Sequence, residues 1–168
     1  MKLYNWSIAP NPKRVRMYLA EKGIEVEREE AAEPGKPVLK PDYLEKYSHR
    51  RVPLLELDDG TTIGEAMAIC RYFETLHPNP PLMGIDALDN ASVEMWERIS
   101  EAEGMFVVAE VFRNSKRSFA GRALPGYVEP IEQIPELVER GKLRMDQYYV
   151  KINGQLAGRD FITGARFT

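Results

Sequence analysis

The sequence predicts a small α/β domain followed by an all-helical one. Three observations carry this expectation. Through residues 1–76, apolar runs and helical periodicities alternate in the order strand, helix, strand, helix, strand, strand, helix. A proline-rich stop follows at His77-Pro78-Asn79-Pro80-Pro81. Beyond it the apolar spacing is helical throughout. The expected domains are 1–76 and 88–168, the second incomplete, joined by a linker over 77–87.

Met1 to Asn5, with Leu3 and Tyr4, reads as the first strand. Ala9-Pro10-Asn11-Pro12 breaks it, and Val15, Tyr18 and Leu19 then recur at helical spacing until Gly23. Asn11 is placed as the N-cap of this helix, with Pro12 at the first helical position. Ile24 to Glu30 alternates apolar and charged residues, as a half-buried strand would with Ile24 and Val26 inward. Glu33-Pro34-Gly35-Lys36-Pro37 reads as a loop, and Asp42 to Tyr47 as a short helix. Val52-Pro53 then introduces the strand Leu54-Leu55-Glu56-Leu57, followed by a turn at Asp58-Asp59-Gly60 and a second strand at Thr61-Thr62-Ile63. A proline at a strand's start fits a cis peptide. It would leave the Val52 backbone facing outward, free to pair with an extended peptide. Gly64-Glu65-Ala66 opens a helix running to about Leu76, with Ala66, Ile69, Cys70 and Phe73 on one face. This order of elements is of thioredoxin type.

In the second half, Leu88, Ala91, Met95, Ile99, Ala102, Phe106 and Ala109 fall on one face of a long helix and form its expected core stripe. Met105, Val108 and Phe112 make a second stripe. Gly121 to Gly126 breaks the helix. Ile131, Ile134, Leu137, Val138, Leu143, Met145 and Tyr148 support another, ending near Asn153-Gly154. Residues 161–168 look like the lead-in to a further helix with Thr168 as its N-cap. Two long helices packed only on the small domain would expose much apolar surface. The expectation is therefore a chain truncated at its C-terminus, or one completed by a partner.

Composition narrows the function. Apolar content of 43% and charged content of 29% are those of a globular protein. The net charge is −3 with both signs interspersed, so no basic patch points to nucleic acid. No apolar run is long enough to span a bilayer, which makes a cytoplasmic protein the expectation. The single cysteine, Cys70, excludes an intrachain disulfide and a Cys-x-x-Cys pair. It is expected in the packed core, so any thiol chemistry needs a thiol from outside. No metal site is expected, and His77 is expected to be structural.

The start of the helix after Gly64 offers free N–H groups to a carboxylate, while Glu65 can hold an ammonium. With the Val52 edge, these make a site for a small zwitterionic peptide. Met-Lys-Leu-Tyr at the start, Pro-Asn-Pro-Lys-Arg-Val-Arg, Leu-Ala-Glu-Lys-Gly, Val-Pro and Ile-Gly-Glu-Ala-Met-Ala-Ile-Cys-Arg-Tyr follow one another in order. In this the chain resembles the glutathione S-transferase family, most closely a bacterial-type branch. The resemblance covers the whole chain and is strongest over Met1 to Glu74.

The resemblance implies a thioredoxin-like domain plus an all-α domain, glutathione as co-substrate, and a two-fold homodimer in which Met67, Arg71 and Tyr72 meet the second subunit. It implies an enzyme that lowers the thiol pKa of glutathione and presents the thiolate to a small apolar electrophile. Further helices follow this point in the family. The implied glutathione residues are Ala9, Asn11, Lys40, Arg51, Val52, Pro53, Glu65 and Ala66, with the glycyl carboxylate falling to Lys40, His49 or Arg51. The electrophile pocket would be formed by Met105, Val108 and Phe112, between the small domain and the first long helix.

Two positions depart from the family pattern. Ala9 stands where many members place a Ser or Cys, which leaves Tyr4, Ser7 and Asn11 as candidates to stabilise the thiolate. Asn11 is the favoured catalytic residue, and the register of Tyr4 turns it toward the core. Ala66 stands where the family usually has a Ser that binds the γ-glutamyl carboxylate. Loss of that bond predicts glutathione binding weakened by about ten- to a hundredfold. The alternatives are another glutathione-dependent enzyme (an isomerase, dehalogenase or peroxidase) or a non-catalytic glutathione-binding or protein-interaction module.

Overall fold

Four strands form one sheet: β1 (Lys2–Asn5), β2 (Glu27–Glu30), β3 (Leu54–Glu56) and β4 (Thr62–Gly64), in the spatial order β2-β1-β3-β4. β2 runs parallel to β1, while β3 and β4 run antiparallel to their neighbours. Three helices accompany them: α1 (Pro10–Glu21), α2 (Pro41–Lys46) and α3 (Ala66–Leu76). This is the thioredoxin-like order expected from the sequence. The computed structural model describes residues 1–33 and 38–168. These fall into two units, Met1–Pro80 and Pro81–Thr168. The loop expected at 33–37 lies, from Pro34 onward, outside the described residues.

The first unit's core is Leu3, Val15, Leu54, Leu55, Ile69 and Phe73, all buried. α3 buries Ala66, Ile69, Cys70 and Phe73, the face that its spacing predicts. The Val52-Pro53 peptide is cis, as its position before a strand suggested, and so is Asn79-Pro80.

α1 starts differently from its expectation. Ala9 is the N-cap and Pro10 the first helical residue, so Asn11 lies inside the first turn and caps nothing. A proline restricts the residue before it to extended backbone, and Ala9 has φ −83° and ψ 140°. Because Pro10 is itself at home in the first helical position, the helix begins one step earlier than a side-chain cap would place it. At the other end, the Gly23 N–H donates to Ala20 O at 3.0 Å and the Ile24 N–H to Leu19 O at 2.9 Å, a Schellman motif closed by Gly23 at φ 65°. This closure draws Ile24 into the cap. The second strand therefore begins only at Glu27, with Ile24 and Val26 half-buried before it.

Lys22 has a fully buried side chain and pairs with Glu74 of α3 at 2.5 Å. It also donates to His77 O at 2.8 Å and Pro80 O at 2.5 Å. Tyr18 donates to the same Glu74. The end of α1, the end of α3 and residues 77–80 are thus fastened by one ammonium. The His77 ring itself is exposed.

The second unit contains α4 (Ala87–Ile99), α5 (Phe106–Ser115) and α6 (Pro135–Leu156), with a π-helical segment, Ser100–Met105, between α4 and α5. Asp86 caps α4 by accepting the Asp89 N–H at 2.9 Å. The core stripe expected on the first long helix is wrong. Leu88, Met95 and Phe106 are 78%, 51% and 60% exposed, while Gly104, Val107 and Asn114 are buried. A π-turn carries extra residue per turn, so a stripe counted at 3.6 residues crosses from one face to another at Ser100. Two glycines admit close packing on the buried side: the Tyr148 ring lies over Gly104, and Val111 lies against Gly141 of α6. α6 starts at Pro135 rather than near Ile131, and Leu143 is exposed. Thr163 is buried, and its hydroxyl lies 3.1 Å from that of Thr168. Among the described residues no helix is long and apolar enough to cross a membrane, and no group of His, Cys, Asp and Glu could hold a metal ion.

Candidate functional site

The sheet register gathers the candidate residues of the first unit. Tyr4 lies opposite Leu54, and Leu54 lies opposite Gly64. The loop after β1, the Val52-Pro53 peptide before β3 and Glu65 after β4 therefore share one end of the sheet. α1 begins a few residues beyond the β1 loop, and α3 begins directly after Glu65. Two helix N-termini consequently start at this end: α3 brings unpaired N–H groups, while α1, with Pro10 and Pro12 in its first turn and the Ala9 N–H bonded to Trp6 O at 3.0 Å, brings the Asn11 N–H alone.

Glu65 occupies the turn from strand to helix. It is the N-cap of α3 with φ 63° and ψ 125°, a backbone region that residues other than glycine rarely adopt. Its carboxylate is exposed and lies 3.7 Å from the Arg51 guanidinium. Arg51 is held from behind, where its carbonyl accepts a hydrogen bond from the buried Tyr43 hydroxyl. The next residue, Val52, makes no backbone hydrogen bond among the described residues.

Beside the pair is an open depression of about 530 Å³ lined by Lys46, Tyr47, Ser48, His49, Thr62, Gly64 and Glu65. The rings of Tyr47 and His49 lie 5.0 Å apart. Burial, and then the nearby Glu65 carboxylate, raise the Tyr47 hydroxyl above its ordinary pKa, with Arg51 pulling the other way. Tyr47 is therefore a neutral hydroxyl at working pH. Ala66, the first residue of α3, is buried and brings no side-chain donor.

The other predicted residues are spread over both units. Ala9 is half-buried and Asn11 exposed at the start of α1. Lys40 is the N-cap of α2, its N–H bonded to Ala31 O at 2.9 Å. None of these three makes a side-chain hydrogen bond or ion pair with Arg51 or Glu65 among the described residues. Tyr4 turns its hydroxyl away from this end of the sheet. Its buried hydroxyl donates to Glu56 Oε2 at 2.7 Å, toward the opposite end of the sheet. In the second unit, Met105 is half-buried, and Val108 and Phe112 are 40% and 48% exposed on α5.

Sequence reasoning missed the network that holds the β1 loop. The buried Asn5 accepts from Arg16 and donates to Glu30. Glu30 accepts the Ser7 N–H at 3.0 Å, and Arg16 donates to Ser7 O at 3.0 Å. Ser7 is thus gripped by its backbone while its side chain stays exposed. The available signal was a polar Asn5 directly after the apolar Leu3-Tyr4 of the strand, a position that demands partners.

Comparison with known proteins fits this geometry. Residues 3–81 match the family described as glutathione S-transferase, N-terminal domain. The whole chain superposes on the crystal structure of a glutathione S-transferase of class Gtt2 from Vibrio parahaemolyticus, with 33% identity and a TM-score of 0.80, covering 74% of that chain. The chain belongs to the glutathione S-transferase family. Within the family it is 34% identical to glutathione S-transferase 2 of Saccharomyces cerevisiae over 117 residues, which are 68% of this chain and 50% of the yeast protein. It is 33% identical to a maleylacetoacetate isomerase of Pseudomonas aeruginosa over 93 residues, 54% of this chain and 44% of that protein. The chain therefore spans about half the length of these curated relatives.

Proposed function

We propose that this chain binds glutathione at the shared end of the sheet and adds its thiolate to a small apolar electrophile. The observation that carries the reading is the meeting of the unpaired Val52 backbone with Glu65 at the start of α3, in a chain of this family. Val52, behind Pro53, pairs with the cysteinyl backbone, Glu65 takes the ammonium, and the N–H groups of Glu65 and Ala66 face the neighbouring carboxylate. Lys40 and His49 serve the glycyl carboxylate, because Arg51 is engaged at Glu65.

Lowering the thiol pKa by two units requires roughly 2.7 kcal/mol of differential stabilisation. A hydrogen bond to the thiolate supplies about 1.5–3 kcal/mol, and a helix N-terminus about 0.3–1 kcal/mol. Asn11, exposed in the first turn of α1 and released from capping, donates that bond, with Ala9 leaving room for the sulfur. Met105, Val108 and Phe112 receive the electrophile. The working protein is a cytoplasmic homodimer that contacts its partner through Met67, Arg71 and Tyr72.

A second reading, a glutathione-dependent isomerase, is favoured by the likeness to the maleylacetoacetate isomerase. A third, a binding module without catalysis, is favoured by the two alanines at positions 9 and 66. Titrating the thiolate absorbance of bound glutathione against pH separates the catalytic readings from the module, and assays of conjugation and of isomerisation separate the two catalytic ones. The transferase reading expects a thiol pKa well below the free value, and Asn11→Ala should abolish conjugation while leaving binding intact. Binding without a shift favours the module. A wild-type dissociation constant above about ten millimolar ends the glutathione reading altogether, since it corresponds to under roughly 3 kcal/mol of binding.

A further inference from the structure

We propose that Arg51 and Glu65 act together on one α-amino-acid head group, Arg51 taking its carboxylate and Glu65 its ammonium. The inference rests on the glutathione reading and assigns the γ-glutamyl end of the peptide to this pair.

Distance decides between the two possible duties of Arg51. The two ends of an extended tripeptide are about 10 Å apart. Arg51 and Glu65 lie 3.7 Å apart, so they cannot grip opposite ends of such a ligand as they stand. An α-amino acid, by contrast, carries its two charges on neighbouring atoms around a single carbon. The spacing of the protein pair matches that head group with its charges reversed.

The surroundings agree. Ala66 offers no hydroxyl to a carboxylate at the start of α3, and Arg51 is the cation that stands beside Glu65. A guanidinium can donate to both oxygens of a carboxylate in a planar fork, a geometry that a lone hydroxyl does not provide. Arg51 and Glu65 are 49% and 67% exposed, and an exposed ion pair of this kind is weakly held. A ligand that brings both charges can replace it and satisfy each partner. The backbone behind Arg51 is fixed by the Tyr43 hydroxyl, which leaves the side chain as the moving part. Arg51 is in this way the substitute for the donor that Ala66 lacks, and it offsets the weakening predicted from the sequence.

The test is a chemical-shift titration of the wild-type chain and of Arg51→Met with two probes. One is glutathione. The other is 4-aminobutyryl-cysteinylglycine, which keeps the ammonium and the glycyl carboxylate but lacks the γ-glutamyl α-carboxylate. The expected result is that Arg51→Met weakens glutathione about ten- to a hundredfold and leaves the affinity for the second peptide within about twofold, a difference too small to count as a lost charged hydrogen bond. Arg51→Lys should recover part of the loss. Equal weakening of both peptides overturns the assignment, because Arg51 would then serve the glycyl carboxylate. Unchanged glutathione affinity in Arg51→Met overturns it while leaving the glutathione reading intact. A wild type that binds neither peptide overturns both. The thermal unfolding midpoint of Arg51→Met, an exposed substitution, should match wild type and exclude misfolding as the cause.

Discussion

At Gly64 the chain has no room for a side chain. A β-carbon there would collide with the Tyr47 hydroxyl and come within 2.7 Å of Cζ of the same ring. Gly64→Ala should therefore cost about 1–3 kcal/mol, the usual range for an overpacked site. In a Tyr47→Ala background the same change should cost clearly less. Urea unfolding of the four proteins measures both values, and equal costs in the two backgrounds would refute the contact. The residue scale is also where the sequence was least legible. Glu65 and the Val52-Pro53 peptide could be read directly, because strand, turn and helix signals bracket them. The cap of α1 could not, because Asn11 and Pro10 compete for the same few positions and the ring constraint wins over the side-chain bond. Nor could the partners of Asn5 or Arg51 be read, since each is set by chain segments far apart in sequence.

Among the elements, α1 and α3 depend on a single buried ammonium. Removing one partner of a buried ion pair leaves the other charge uncompensated, at about 3–5 kcal/mol. Lys22→Met should destabilise the protein by this order, and Lys22→Met with Glu74→Gln by less than the sum of the two single changes. A double-mutant cycle in denaturant measures this, and simple additivity would show that the pair is not coupled. Element order in the first unit was legible because each apolar run is bounded by Gly or Pro. The second unit was legible only as helices. The π-helical segment at Ser100–Met105 leaves no mark in composition, yet it rotates everything after it. Phe106, which follows it, consequently faces solvent; Leu88 and Met95, which precede it, are exposed too, and the buried side is marked instead by Gly104 and Gly141, residues too small to contribute to an apolar count.

For the molecule as a whole, the proposed homodimer is the statement most open to test. Sedimentation at micromolar concentration should give twice the mass of one chain, and Met67→Asp on α3 should return it to a single chain's mass. A wild type that sediments as one chain would remove the dimer from the proposal. Wherever the contact lies, one of the two outer strands of the sheet, β2, is closed to it. β2 consists of Glu27, Arg28, Glu29 and Glu30, and Lys2 of the neighbouring strand is drawn to Glu27 and Glu29 at 3.3 and 3.1 Å. A second copy adding itself to that edge would set carboxylates against carboxylates, which destabilises a strand pair. Exposed strand edges are the common template for aggregation, and charge is one of the devices that blunt them. The same four residues that make β2 a poor candidate for a buried strand keep the sheet from growing past that edge.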